Sequence, residues 1–181
     1  MNFYYAARKK FGPEHGEGWT AYLEEVNLPH LTEVVSLDSG LNPSVIEDKA
    51  DVYDYLYHDE DCYGYTGVFK NLEAVKEYAM DKSDYNTLAL LKNPQEPCKD
   101  IQLDSYKFIG YSLLEYSYWI CPLINSGNVE LLPFNAEDLT SLGLVENYSR
   151  IKEIRQSLIE SDTTSDKYDC NLWAIWREVN N

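Results

Sequence analysis

Residues 171–179, NLWAIWREV, form the most informative apolar run in this chain. Apolar side chains continue without interruption from Leu172 to Trp176, whereas a strand with one solvated face alternates apolar and polar residues. The run therefore predicts a strand that is covered on both faces. Its two tryptophans, Trp173 and Trp176, are expected in the core rather than on a binding platform.

The remaining sequence mixes strand and helix patterns without a regular βαβ order. Strands are predicted at 2–7, 33–37, 87–91 and 105–115, and helices at 19–26, 71–82, 134–144 and 147–160. The apolar stretch 117–125 contains Pro122 and fits an edge strand, a bulge or a short helix. We predict a single α+β domain over residues 1–181, with a mixed or antiparallel sheet of about five or six strands packed against two or three helices.

The charge of the chain is strongly negative, with a formal net charge of −16 at pH 7. Residues 47–61 contain seven acidic residues and one basic residue, so fifteen positions hold more than a third of that charge. Phosphate backbones and anionic membranes repel such a protein, and we expect neither a nucleic-acid partner nor a membrane partner. A basic protein surface would attract it.

The cysteines stand at positions 62, 98, 121 and 170 and form no CxxC pair, which disfavours a zinc site and a thioredoxin-like motif. The sequence has neither a signal-peptide pattern nor an apolar stretch of about 18 residues, so we expect a cytoplasmic protein with reduced thiols. Cys121 lies in an apolar run and is expected in the core. Cys62 and Cys98 lie in polar surroundings and are candidates for reactive thiols.

Sequence patterns for catalysis are weak. The motifs G-x-S-x-G, G-x-x-x-x-G-K-[ST] and G-x-G-x-x-G are absent, and no two histidines are spaced as in HExxH. His58 and the acidic residues 59–61 fit a solvated loop better than a cation site. We therefore predict a protein that is not an enzyme, with no catalytic residue, no cofactor and no metal.

Other polar residues have simple structural explanations. Glu14, His15 and Glu17 could form an acid–base group, but a surface loop explains them as well. Ser36, before Asp38 in VVSLDS, is expected to satisfy backbone groups at a strand end. The basic residues 8–10 are expected to form a solvated strand end.

The segment 50–65, ADVYDYLYHDEDCYGY, contains five tyrosines and five carboxylates. Tyrosine gives rigid contact area at low entropic cost, and clustered carboxylates steer a basic partner and pair with its Arg and Lys side chains. A solvated surface loop is the alternative explanation. The predicted partner-binding residues are Asp51, Tyr53, Asp54, Tyr55, Tyr57, Asp59, Glu60 and Asp61.

Four stretches resemble a group of small, acidic bacterial proteins associated with immunity in polymorphic toxin and contact-dependent inhibition systems. They are NFYYAARKK (2–10), LTEVVSLDSGLNP (31–43), KFIGYSLLE (107–115) and CNLWAIWRE (170–178). These stretches are strand-like and core-like, so the resemblance implies a shared fold more directly than a shared function. It transfers no functional residue to this chain.

The leading hypothesis from the sequence is an immunity protein that binds and neutralises a cognate toxin domain, with a nuclease as the expected toxin. A nuclease needs a positive surface to hold phosphate, and an acidic inhibitor competes for that surface. One alternative is a small-molecule-binding or enzymatic domain, for example with a pocket lined by His15, Trp19 and Ser36. Another is a structural or regulatory partner within a bacterial complex.

Overall fold

The computed structural model describes residues 2–44, 67–79, 83–115, 120–161 and 170–179. Its helices and strands run, in chain order, as β1 (Tyr4–Lys9), α1 (Glu17–Val26), β2 (Val68–Phe69), α2 (Leu72–Ala79), β3 (Tyr85–Lys92), β4 (Tyr106–Glu115), α3 (Tyr148–Ser161) and β5 (Cys170–Glu178). The described residues therefore form an α+β fold with five strands and three helices, as predicted.

The sheet is antiparallel throughout, with the strand order β2-β1-β3-β5-β4. β5 lies inside the sheet, between β3 and β4. Its side chains alternate between two core clusters: Ala174 and Trp176 belong to one, and Trp173 and Ile175 to the other. The prediction that this strand is covered on both faces is confirmed.

The helices bury short apolar stripes. α3 packs against β4 and β5 and buries Ile151, Ile154 and Leu158. α1 buries Trp19, Tyr22 and Val26 on its inner side, as the predicted periodicity requires. Within the described ranges, no helix is long and apolar enough to span a membrane.

The predicted strand 105–115 forms β4, and the geometry around Gly110 explains why it contains a glycine. The register between β4 and β5 shifts between Phe108 and Gly110, where the backbone adopts a φ of +143°. A Cβ atom at this position would lie 2.8 Å from the Cβ atom of Leu144. Glycine is therefore required both by the backbone conformation and by the close approach of the neighbouring loop.

The predicted strand at 33–37 is wrong. Val34 forms one isolated bridge, in which its N–H donates to the carbonyl oxygen of Phe11 (2.8 Å). The N–H of Val35 donates instead to Leu142 (3.1 Å), and the carbonyl oxygen of Val34 accepts from the side-chain amide of Asn42 (3.0 Å). Because successive backbone groups bond to different parts of the chain, no ladder forms, although the segment is buried.

The predicted helix at 134–144 is also wrong, because only the single 3₁₀ turn Ala136–Asp138 forms there. Its next residue, Leu139, is extended, with φ −97° and ψ 135°. The carbonyl oxygen of Ser141 accepts from the backbone N–H of Thr32 (2.8 Å), outside the segment. Tertiary hydrogen bonds thus replace the intrahelical bonds that the local pattern predicted.

The prediction for Arg8 is wrong. Arg8 does not lie at a solvated strand end: it is 1% exposed, and its Nη1 donates to the carbonyl oxygen of Asn42 (3.2 Å).

The apolar stretch around Pro122 is mainly turn rather than strand over residues 120–125. The turn is closed by a hydrogen bond of 2.9 Å from the N–H of Asn125 to the carbonyl oxygen of Cys121. Residues 117–119 lie outside the described ranges.

Candidate functional site

All eight predicted partner-binding residues, at positions 51–61, lie outside the described residues. Cys62 and His58 lie outside them as well. Two other polar regions are described in full and can be compared as candidate sites. One is a cleft at an end of the sheet, and the other is the outer face of α1.

The cleft lies where β1 ends, β3 begins and β5 ends. It has a volume of about 560 Å³. Three cations line it, Lys9, Lys10 and Arg177, together with four carboxylates that include Glu33. The antiparallel register places these strand ends side by side, because Arg8 pairs with Asn86, and Leu88 pairs with Arg177.

Glu33 is the best-fixed charge in the cleft. Its Oε1 accepts from Nδ2 of Asn86 (2.6 Å), and its Oε2 accepts from Nη1 of Arg177 (2.7 Å). The side chains of Glu33 and Arg177 are only 21% and 31% exposed. This carboxylate therefore joins the loop before residue 34 to two neighbouring strands, and it neutralises the guanidinium.

The two lysines of the cleft differ. Nζ of Lys10 donates to the carbonyl oxygen of Ser83 (2.8 Å). The ammonium of Lys9 forms neither a hydrogen bond nor an ion pair with any described residue. Lys9 is consequently the cleft cation most available to a ligand.

The pocket suggested by His15, Trp19 and Ser36 does not form. His15 lines the cleft, where its Nδ1 lies 3.6 Å from a carboxylate oxygen of Glu14. Trp19 is 6% exposed and packs edge-on against Phe11, with ring centroids 5.3 Å apart. Ser36 is fully buried elsewhere. Of the possible acid–base group Glu14, His15 and Glu17, the structure brings together Glu14 and His15, which are both exposed and line the cleft.

The buried carboxylate of Asp38 organises a third group of polar residues. Its Oδ1 accepts from the N–H groups of Gly40 (2.8 Å) and Leu41 (3.2 Å). Its Oδ2 accepts from the N–H of Cys121 (2.8 Å) and the side-chain amide of Asn125 (3.0 Å). With 1% of its surface exposed, Asp38 joins two loops and has no access to a ligand.

Ser36 serves the same cluster. Its Oγ accepts from the N–H of Asp38 (3.1 Å) and donates to Oδ1 of Asn42 (2.8 Å). Ser36 therefore satisfies a backbone group, as predicted, but not at a strand end, because no strand forms at 33–37.

The described thiols, those of Cys98, Cys121 and Cys170, are buried. Cys121 is 0% exposed, and burial raises the pKa of its thiol to about 12. Cys98, a predicted candidate for a reactive thiol, is also 0% exposed, and burial raises its pKa above the ordinary value. The prediction for Cys98 is wrong because its side chain packs in the core, while its neighbours in sequence are exposed. The thiolate needed for reaction is disfavoured at both positions.

The outer face of α1 carries negative charge without compensation. Glu17, Glu24 and Glu25 are exposed and form no ion pair with any residue in the described part of the chain. The sequence contained a signal for this surface, because two adjacent glutamates precede the predicted helix end at Val26. The signal does not predict a surface by itself, because the direction in which the face points depends on packing.

Comparison with known proteins adds no relative. No family model, no curated protein and no solved structure matches this chain. Among the described residues, no group of three or more His, Cys, Asp or Glu side chains is placed to hold a metal ion. The two candidate regions are therefore judged on their own geometry and charge.

Proposed function

We propose that this chain is an immunity protein that binds and neutralises a cognate bacterial toxin domain with a basic surface, such as a nuclease. The observation that carries the proposal is uncompensated negative charge. The chain has a net charge of −16, and the carboxylates on α1 add to the acidic, tyrosine-rich segment 50–65. The resemblance of four stretches to toxin-immunity proteins supports the same conclusion.

The inhibitory mechanism follows from electrostatics. A nuclease concentrates Arg and Lys side chains where it holds phosphate, and that surface attracts an acidic protein over several ångströms. Complementary charge accelerates encounter and favours a basic partner over neutral competitors. Carboxylates that pair with the phosphate-binding side chains then exclude the nucleic acid.

A toxicity-rescue experiment tests the proposal. A candidate toxin domain, taken from a gene that neighbours the gene of this chain, is expressed in a sensitive bacterium, with and without this chain. The absence of any such gene would count against the proposal. We expect growth to be restored, and we expect the purified proteins to form a stable complex on size-exclusion chromatography. An unrelated protein of similar charge serves as the control. Cell death in the presence of the chain, together with no complex, would overturn the proposal.

A small-molecule-binding function is the second candidate, favoured by the cleft and by Lys9, whose ammonium has no partner among the described residues. The test is to purify the chain from its native cells, release any bound molecule by heat, and identify it by mass spectrometry. This candidate requires a released compound that is lost in Lys9→Ala. Recovery of no compound, or of the same compound from the variant, rejects it.

A further inference from the structure

A cavity between α3 and the loop that follows β3 shares no lining residue with the cleft. It has a volume of about 350 Å³, which is large enough for a small molecule. Four lining residues lie on one face of α3, because the other three are spaced three or four positions from Lys152: Tyr148, Lys152, Arg155 and Gln156. Residues 93–95 and Leu172 of β5 complete the lining of this α3 cavity.

The charge of the α3 cavity is opposite to that of the whole chain. The chain has 31 acidic and 15 basic residues, and carboxylates outnumber cations in the cleft as well. The charged residues that line the α3 cavity are Lys152 and Arg155, and none of its described lining residues is acidic. Glu160 accepts from the side-chain amide of Gln156 (2.6 Å) but does not line the cavity. A strongly negative protein therefore has a local positive charge here.

The two cations of the α3 cavity have no carboxylate partner. Neither forms an ion pair with any residue that the structure describes. The ammonium of Lys152 lies over the ring of Tyr148, 5.5 Å from its centroid. Nε of Arg155 donates to the carbonyl oxygen of Cys170 (2.7 Å), which fixes the guanidinium and uses one of its five N–H groups. Because like charges three positions apart on a helix repel each other, a bound anion would relieve an unfavourable interaction.

The loop side of the α3 cavity is held by hydrogen bonds. Asn93 adopts the left-handed conformation with φ 47°, which asparagine tolerates better than most residues. Its N–H donates to the carbonyl oxygen of Leu172 (2.7 Å), and its Oδ1 accepts from the N–H of Leu172 (3.0 Å). The hydroxyl of Tyr148 donates to the carbonyl oxygen of Pro94 (2.7 Å) and ties the loop to α3. The cavity is therefore formed before a ligand binds, which lowers the entropic cost of binding.

The donors of the α3 cavity match a phosphate monoester better than a carboxylate. A phosphate monoester carries a charge of about −1.5 to −2 at pH 7 and three acceptor oxygens, which two cations can share. Guanidinium binds phosphate through paired N–H groups, and lysine adds a point charge. The side-chain amides of Gln95 and Gln156 offer donors and acceptors for the hydroxyl groups of a small polar molecule.

We propose that the α3 cavity binds a small phosphate monoester, with the phosphate held by Lys152 and Arg155. The inference does not depend on the proposed immunity function. A nucleic acid is disfavoured as the source of the phosphate, because a net charge of −16 repels a polyanion. A small ligand is affected less, since physiological salt screens charges more than about 8 Å away and the two nearby cations dominate.

Isothermal titration calorimetry at constant ionic strength compares three probes: inorganic phosphate, glycerol 3-phosphate and glutarate. We expect glycerol 3-phosphate to bind more tightly than inorganic phosphate, because the ester also reaches the side-chain amides. Glutarate should bind most weakly. Binding of no probe, or of glutarate alone, overturns the proposal. Equal affinity for the two phosphates rejects the ester and leaves inorganic phosphate as the ligand.

Gln156→Glu places a carboxylate beside both cations without removing either, and position 156 is exposed, so the fold should persist. We expect Kd for glycerol 3-phosphate to rise about tenfold or more, because the new charge repels the phosphate. Gln102→Glu adds the same charge at an exposed position outside the cavity and serves as the control. Equal Kd values for the two variants overturn the proposed site.

A second pair of variants removes the cations. Lys152→Gln/Arg155→Gln should abolish binding of glycerol 3-phosphate, whereas Lys76→Gln/Lys107→Gln removes the same charge elsewhere and should leave binding nearly unchanged. Circular dichroism checks that each variant is folded. If the first variant does not fold, the comparison of Gln156→Glu with Gln102→Glu decides. Binding that persists in a folded Lys152→Gln/Arg155→Gln variant overturns the proposal.

Discussion

The loop around Asp38 and the outer face of α1 use carboxylates in opposite ways. Asp38 is 1% exposed and accepts hydrogen bonds from four donors. Glu24 and Glu25 are exposed, form no ion pair with any described residue and lie at the unfavourable end of a helix. A carboxylate with its partners supplied by the fold stabilises that fold, whereas one without partners remains available to another molecule.

The carboxylate of Glu33 in the cleft is intermediate between these two cases in burial and in hydrogen bonding. Glu33 is partly buried and has two donors, and the cleft holds charges of both signs. We therefore expect the three regions to respond differently to the removal of a carboxylate. The stability lost on removing a carboxylate should fall from Asp38 through Glu33 and Asp138, and should change sign at Glu24 and Glu25.

The largest loss of stability is expected for Asp38→Ala. The substitution leaves the buried N–H of Cys121 without its acceptor and releases the turn at 40–41. We expect the free energy of unfolding to fall by about 2–4 kcal/mol, measured by urea denaturation. Asp104→Asn, an exposed position, is the control. A loss no larger than that of the control would show that the four hydrogen bonds contribute little.

A smaller loss is expected for Glu33→Ala in the cleft. The carboxylate accepts from Asn86 and Arg177, but it is partly solvated, so we expect a cost of about 1–2 kcal/mol. A double-mutant cycle with Arg177→Met separates the ion pair from the bond to Asn86. Additive effects of the two substitutions would mean that Glu33 and Arg177 are not energetically coupled.

Asp138 should contribute less, and only above acidic pH. Arg150 donates to both of its carboxylate oxygens, through Nε (2.8 Å) and Nη2 (2.7 Å), which holds the pKa of Asp138 below its ordinary value. A lowered pKa in the folded state means that the stabilisation is complete above about pH 4 and is lost as the pH falls through the lowered pKa.

Asp138→Asn should therefore cost up to about 1 kcal/mol at pH 7 and much less at pH 2. Urea denaturation of both proteins across that range measures the difference. A cost that stays constant with pH would indicate that the side-chain shape of Asp138, and not its charge, is responsible.

The smallest effect, with the opposite sign, is expected for Glu24→Gln/Glu25→Gln. Removing two negative charges from the last turn of α1 should raise Tm by about 1–4 °C. Differential scanning calorimetry at low salt measures the shift, which added salt should reduce. A lower Tm would mean that these glutamates stabilise the fold, and the contrast with Asp38 would fail.

The sequence predicted those helices and strands in which apolar side chains recur at a regular spacing along one segment. The patterns at 87–91, 105–115, 147–160 and 171–179 correspond to β3, β4, α3 and β5. Prediction failed at 33–37 and 134–144, where the backbone bonds to distant segments instead of to itself or to a sheet strand. It failed at Arg8 and Cys98, which are buried although polar residues adjoin them in sequence, because burial depends on contacts with distant segments.

The candidate sites also differ in how far the sequence predicts them. The acidic, tyrosine-rich segment is visible from composition alone, and its residues 51–61 remain predictions because they lie outside the described residues. The cleft around Glu33 could not be predicted. It assembles residues from separate segments, such as Glu33 with Arg177.

By itself, the sequence determined that this protein is strongly acidic and that its last strand is covered on both faces, because charge and apolar periodicity are local properties. The tertiary structure decided which carboxylates receive partners. That choice depends on which donors the packed loops and strand ends bring within about 3 Å of each oxygen, and such distances link residues that the chain keeps far apart.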